Sequence, residues 1–118
     1  MTSSCGERLK RHERINDSLQ IRQIRNRGER FSGRQIRVFR QSNPLRGARL
    51  AVALTKKAGS SVVRNRSRRK IREFFRKNKE IMGSFDYFFF SDQDISSLTK
   101  AEWHEFFQAI LKWCRGGL

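Results

Sequence analysis

Residues 49–91 read "RLAVALTKKAGSSVVRNRSRRKIREFFRKNKEIMGSFDYFFFS": two apolar stretches of strand length with a cationic helix between them. In RLAVALT the residues alternate, with Leu50, Val52 and Leu54 on the larger apolar face, the period-two mark of a strand. Lys56 to Gly59 form a loop, and Ser60 or Ser61 can cap the helix that follows and runs to about residue 79. FDYFFFS is almost continuously apolar, which predicts a strand covered on both faces. A helix crossing between two strands makes this a small α/β fold, a two-layer α+β sandwich.

The crossing helix is sorted by face. At about 100° per residue, Ile71, Phe74 and Phe75 gather on one stripe, completed by Ser67 and Asn78, and that stripe packs on the sheet. Arg68, Arg72 and Arg76 form a row along one flank, with Asn65 and Arg69 beside them. Arg66, Lys70 and Lys77 occupy the other flank. Like charges spaced i, i+4 repel by a few tenths of a kcal/mol. Arg64 and Arg66 also stand in the first turns, where the helix dipole disfavours cations. A helix serving only stability would place acids there. The arrangement becomes favourable when phosphates bind the helix start and its flanks.

Outward from this segment, residues 1–13 lack periodicity and read as a basic, flexible arm, leaving 14–118 as one domain. Ile15, Leu19, Ile21 and Ile24 are spaced for a helix ending near Gly28. RQIRVFRQ alternates, with Ile36 and Val38 on one face and Arg37 and Phe39 on the other. SNPLRG is a turn by its Asn-Pro and Gly, which predicts that this strand pairs with RLAVALT as an antiparallel hairpin. Residues 99–113 place Trp103, Phe106, Phe107, Ile110 and Leu111 at helical spacing, with Thr99 as the cap. The expected order is helix, strands, helix, strand, helix.

The 118 residues suffice for one core, supplied by ten Phe and two Trp among other apolar residues. The net charge is +16 and unevenly spread: +19 over residues 1–79, −3 over residues 80–118, and no acid between Glu29 and Glu73. Such a field works against the compact state unless a polyanion neutralises it. Nucleic acid fits first and an anionic membrane surface second. Arg outnumbers Lys, and its planar fork matches phosphate oxygens and stacks on bases, which favours structured RNA. Cys5 and Cys114 have no metal-ligand spacing and read as free thiols of a reducing cytoplasm. No apolar run is long enough for a membrane span and no signal-peptide core is present, so a cytoplasmic protein without membrane partner is expected.

Catalytic chemistry is missing from the basic zone. A nuclease needs acids to hold magnesium, or a general base beside the cut phosphate. Asp86, Asp92, Asp94, Glu102 and Glu105 all lie towards the C-terminus. His12 and His104 have no partner acid in the basic region, and Ser60 and Ser61 are caps before they are nucleophiles. No catalytic and no metal-binding residue is assigned.

Residues 55–76, TKKAGSSVVRNRSRRKIREFFR, resemble the protein component of bacterial ribonuclease P. The matching features are Lys56, Lys57, Gly59 and a helix opening Arg64, Asn65, Arg66, followed by Arg68, Arg69, Arg72 and Arg76. GERFSGRQIRVF and DYFFF are similar to the family's neighbouring segments, so the resemblance spans about residues 14–113. It implies a fold like the second domain of ribosomal protein S5, with a left-handed strand–helix–strand crossover that the usual right-handed preference would not suggest. It implies a subunit of an endoribonuclease that removes the 5′ leader of precursor tRNA, with hydrolysis done by a catalytic RNA and Mg2+ held mainly by RNA and substrate. Lys56, Lys57 and the residues of the basic helix would bind that RNA, and no obligate protein partner is implied. The leader would lie in a cleft lined by Ile21, Arg25, Arg37 and Phe39. The family usually carries aromatics at the two helix positions, so Ile21 and Arg25 shift that cleft from stacking towards guanidinium contacts. Phe39 fits base stacking or packing equally well. Two other readings remain from composition: a ribosome-associated protein, which would copurify with ribosomal subunits, and a DNA-coating protein, which would bind duplex DNA tightly at moderate salt.

Overall fold

The computed structural model describes residues 11–45 and 47–116. Its elements are α1 (Ser18–Arg27), β1 (Glu29–Gly33), β2 (Ile36–Ser42), β3 (Arg49–Leu54), α2 (Ser61–Lys77), α3 (Lys79–Met82), β4 (Phe85–Ser91) and α4 (Lys100–Cys114). Single 3-10 turns cover Arg11–Glu13 and Lys56–Ala58. The four strands form one sheet in the order β1-β2-β4-β3, as an α+β fold.

The expected hairpin between β2 and β3 does not form. β4 lies between them, antiparallel to β2, with Val38 opposite Phe89, and parallel to β3, with Val52 opposite Phe89. The reason lies in β4 itself. Tyr87 and Phe89 are fully buried on one face and Phe88 is 4% exposed on the other, and only a central strand covers both faces. β3 therefore reaches the sheet edge, and α2 carries the chain across to its parallel neighbour.

The hairpin that does form joins β1 to β2. Its two-residue loop is Arg34 and Gln35, at φ 46° and 64°, the positive values that a type I′ hairpin needs and that Asn-Gly usually supplies. Tertiary contacts hold it: Arg34 pairs with Glu105 and, at 3.2 Å, with Glu102 of α4, while Ser91 Oγ donates to the Gln35 carbonyl at 2.8 Å. The sequence pattern does not predict β1, because ERFSG offers only Phe31 as a large apolar residue.

One sheet face carries the main core. Ile36, Val38, Leu50, Leu54, Tyr87 and Phe89 meet Ile71, Phe74 and Phe75 of α2, and Trp103, Phe106, Ile110 and Leu111 of α4. Phe74 stacks on Phe107 at 4.3 Å, fixing α2 against α4. The opposite face is smaller: Phe39, Ala51 and Phe88 lie under Ile15 and Ile24, so α1 covers only part of it. α1 begins at Ser18 rather than near Ile15, because Asp17 Oδ1 accepts from the Leu19 amide at 2.9 Å. Ile15 instead donates its backbone N–H to the Leu50 carbonyl at 2.9 Å, continuing an extended segment along β3.

Of the expected N-terminal arm, residues 1–10 lie outside the described residues, Cys5 among them. Glu13 is buried and pairs with Lys79. α2 ends at Lys77, two residues short of the expected residue 79, where Asn78 Nδ2 donates to the Phe74 carbonyl at 2.8 Å. α4 has the expected Thr99 cap, in a reciprocal capping box with Glu102.

Candidate nucleic-acid interface

The basic segment is built from its turn upward. Gly59 stands at φ 149°, and a Cβ there would come within 2.8 Å of Val63 Cγ1, so glycine is what lets the chain enter α2. Ser60 Oγ then accepts from the Val63 amide at 3.2 Å as N-cap. Arg64 Nε donates back to the Gly59 carbonyl at 3.2 Å, drawing its guanidinium beside the turn that exposes Lys56 and Lys57. Arg68 Nη1 donates to Asn65 Oδ1 at 3.2 Å, aligning that flank. Ser67, Ile71, Phe74 and Phe75 form the buried stripe, as the spacing predicted, with Asn78 half-buried at its end. Arg66, Arg69 and Arg72 are exposed, and Arg64, Arg68 and Arg76 are half-buried.

The distribution of ion pairs separates this surface from the rest of the molecule. Arg40 binds Glu29 at 2.7 Å, Arg49 binds Asp86 at 2.7 Å, Arg37 binds Asp92 at 3.3 Å, and Arg34 takes both Glu102 and Glu105. On α2 the single acid, Glu73, faces Lys77 at 3.5 Å. Among the described residues, none of these acids reaches Lys56, Lys57, Arg64, Arg66, Arg68 or Arg69. A row of guanidiniums held by a packed stripe, beside a positive helix start, is a platform for phosphates.

The reverse face of the sheet gathers the second group of residues. Ile21 is half-buried at the edge of the smaller core, and Arg25, one turn on, is exposed. Register places Arg37 opposite Phe90 and Phe39 opposite Phe88. Phe39 is 4% exposed and stacks on Phe88 with centroids 5.9 Å apart, which is the burial of a packing residue. The aromatic that this cleft presents is Phe90, half-buried, with the Arg25 and Arg37 guanidiniums at 4.9 and 5.0 Å from its ring centre. The sequence pattern does not single out Phe90, and Asp92 figures there only as an acid towards the C-terminus, not as the partner of Arg37. The usable signal was the alternation within FDYFFFS, which sends Phe88 and Phe90 to the face opposite Tyr87 and Phe89.

Among the described residues, no group of three or more His, Cys, Asp or Glu is placed to hold a metal ion, and no helix is long and apolar enough to cross a membrane. Cys114 is a free thiol, 3.3 Å from the Tyr87 hydroxyl.

Fold and site together define a small α+β protein whose crossing helix carries a row of arginines at its surface. Residues 9–115 match the family model for Ribonuclease P, and the chain belongs to that family, on the side of its protein subunits. The ribonuclease P protein component of Macrococcus caseolyticus is 31% identical over 104 residues, covering 87% of this chain and 90% of that protein. The corresponding protein of Syntrophus aciditrophicus is 42% identical over 72 residues, 61% of this chain and 60% of that one. The solved RNase P protein of Staphylococcus aureus superposes with a TM-score of 0.78 at 26% identity, covering 87% of this chain and 95% of that chain. That of Thermotoga maritima shares the fold, with a TM-score of 0.67 at 21% identity, covering 93% and 96% of the two chains. The chain is thus a subunit of an endoribonuclease that matures tRNA 5′ ends, and the catalytic RNA is a separate molecule.

Proposed function

We propose that Lys56, Lys57 and the arginines of α2, with Asn65, hold the catalytic RNA, and that the α1 side of the sheet receives the 5′ leader of precursor tRNA. The observation that carries this is the sorting of acids: they neutralise structural cations elsewhere and leave the turn and the start of α2 for phosphate. α1 and α2 lie on opposite sheet faces, so one molecule has separate surfaces for RNA subunit and substrate. On the leader side, Ile21 and Phe90 supply apolar contact and Arg25 and Arg37 supply charge, with Phe39 as the floor. Mg2+ belongs to the RNA and substrate in this reading, and the protein works in the cytoplasm without an obligate protein partner.

Binding of the catalytic RNA across a range of salt tests the first half. Each phosphate contact contributes about 0.7–0.9 to the slope of log affinity against log salt. Arg68→Ala or Arg72→Ala should weaken assembly and lower that slope by about one unit, and unchanged affinity and slope would contradict the assignment. For the second half, Phe90→Ala or Arg25→Ala in the assembled enzyme should weaken precursor tRNA by about tenfold, in line with 1–3 kcal/mol per stacked base. Mature tRNA should be unaffected, and equal loss for both would place the residues elsewhere.

A further inference from the structure

Resting on the assignment of α2 to the catalytic RNA, we infer that this RNA also occupies a second groove, between the Arg66–Lys70 flank of α2 and the segment leading into α4, and that Lys100 closes it over a phosphodiester backbone. The groove has a volume of about 390 Å³ and is lined by Arg66 and Lys70 from α2, by Ser96 and Lys100 from the segment entering α4, and by Val63 and Trp103. Three cations line it and no acid does.

The nearby acids are held elsewhere by their own geometry. Asp94 Oδ1 accepts from the Ser96 amide at 2.8 Å, and Glu102 is turned back onto the Thr99 amide at 2.9 Å and onto Arg34 at 3.2 Å. Neither Lys70 nor Lys100 joins an ion pair among the described residues. The far wall is fixed to the base of α2, because the Ile95 amide donates to the Ala58 carbonyl at 3.0 Å, in the same turn that carries Lys56 and Lys57. The cations of the groove therefore keep a set position relative to the α2 platform, as an extended phosphate track requires.

A larger hollow of about 530 Å³ makes the contrast. Glu13 and Glu80 line it along with Lys79 and Arg49, and its cations are already paired, Lys79 with Glu13 and Arg49 with Asp86. Charge complementarity to phosphate is present in the groove between α2 and α4 and cancelled in the larger hollow. The groove also opens on the α2 and α4 side of the sheet, away from Phe90, which commits it to the catalytic RNA rather than the leader.

The test is equilibrium binding of the full chain to the catalytic RNA and, separately, to precursor tRNA, at several salt concentrations. Lys100 lies outside the arginine-rich segment and is exposed, so Lys100→Glu should fold, which a thermal melt of the free protein checks. It should weaken the catalytic RNA by about tenfold near 0.1 M salt and flatten the salt slope by about one unit. Lys100→Arg should retain affinity, and Lys70→Ala should lose it in the same direction. If Lys100→Glu and Lys70→Ala bind like the parent while Arg68→Ala is impaired, the groove is not a contact and the inference falls with the α2 assignment intact. If Arg68→Ala is also unimpaired, the α2 assignment itself fails. A loss confined to precursor tRNA would overturn the choice of occupant.

Discussion

Gly59 and Tyr87 show how single residues set this molecule. At Gly59 the positive φ and the 2.8 Å approach to Val63 predict that Gly59→Ala costs about 1–3 kcal/mol and loosens the first turn of α2. Denaturant unfolding measures the loss, and a stability equal to the parent's would contradict the strain. Tyr87 donates its hydroxyl to the Met82 carbonyl at 2.6 Å. Burial, together with the hydrogen bond to Cys114, pushes the phenol well above its ordinary value, and burial likewise raises the Cys114 thiol. Both groups favour the neutral form in the fold. Their contribution is complete below the unfolded thiol value of about 8.5. The thiol's part begins to be lost there and the phenol's from about 10, where the unfolded groups ionise, and the loss continues until pH passes the raised folded values. Tyr87→Phe should therefore cost about 1 kcal/mol near neutrality and make stability fall less steeply above about pH 10. An unchanged alkaline profile would show that Tyr87 is not the group responsible.

At the scale of elements, what could be read beforehand followed the strength of each local pattern. α2 and α4 have long apolar stripes and real caps, and both were legible to within a residue or two. β4 was legible as a doubly covered strand, yet its place between β2 and β3 was not, because pairing partners are settled by which strand most needs two covered faces. β1 escaped because Phe31 is its one large apolar residue, and its pairing depends on a loop whose Arg34 and Gln35 lack the usual turn chemistry. The arginines of α2 were legible because flank and stripe share one period. Phe90 was hidden within a run of aromatics until register set its face. Asp86 is the clasp of the sheet edge, accepting two bonds from Arg49 at 2.8 and 2.7 Å and one from Asn43 at 2.8 Å. Asp86→Ala should cost about 2–3 kcal/mol in chemical denaturation, through the Arg49 and Asn43 groups left without their acceptor. A loss below about 0.5 kcal/mol would show the clasp to be replaceable by water.

Over the whole molecule, charge is partitioned by role. Acids from Glu13 to Glu105 meet cations that join strands, helices and loops, while among the described residues none of these ion pairs takes Lys56, Lys57 or Arg64 to Arg69. This partition explains how a chain of net charge +16 holds a conventional core. The most direct test is cleavage of precursor tRNA at low Mg2+ by a bacterial ribonuclease P RNA, with the parent protein, with Arg68→Ala, and with RNA or protein alone. Cleavage at the mature 5′ end should appear only when RNA and protein are combined, and should need more protein when Arg68 is replaced. Cleavage by the protein alone, or no stimulation of the RNA by the parent protein, would contradict the assignment.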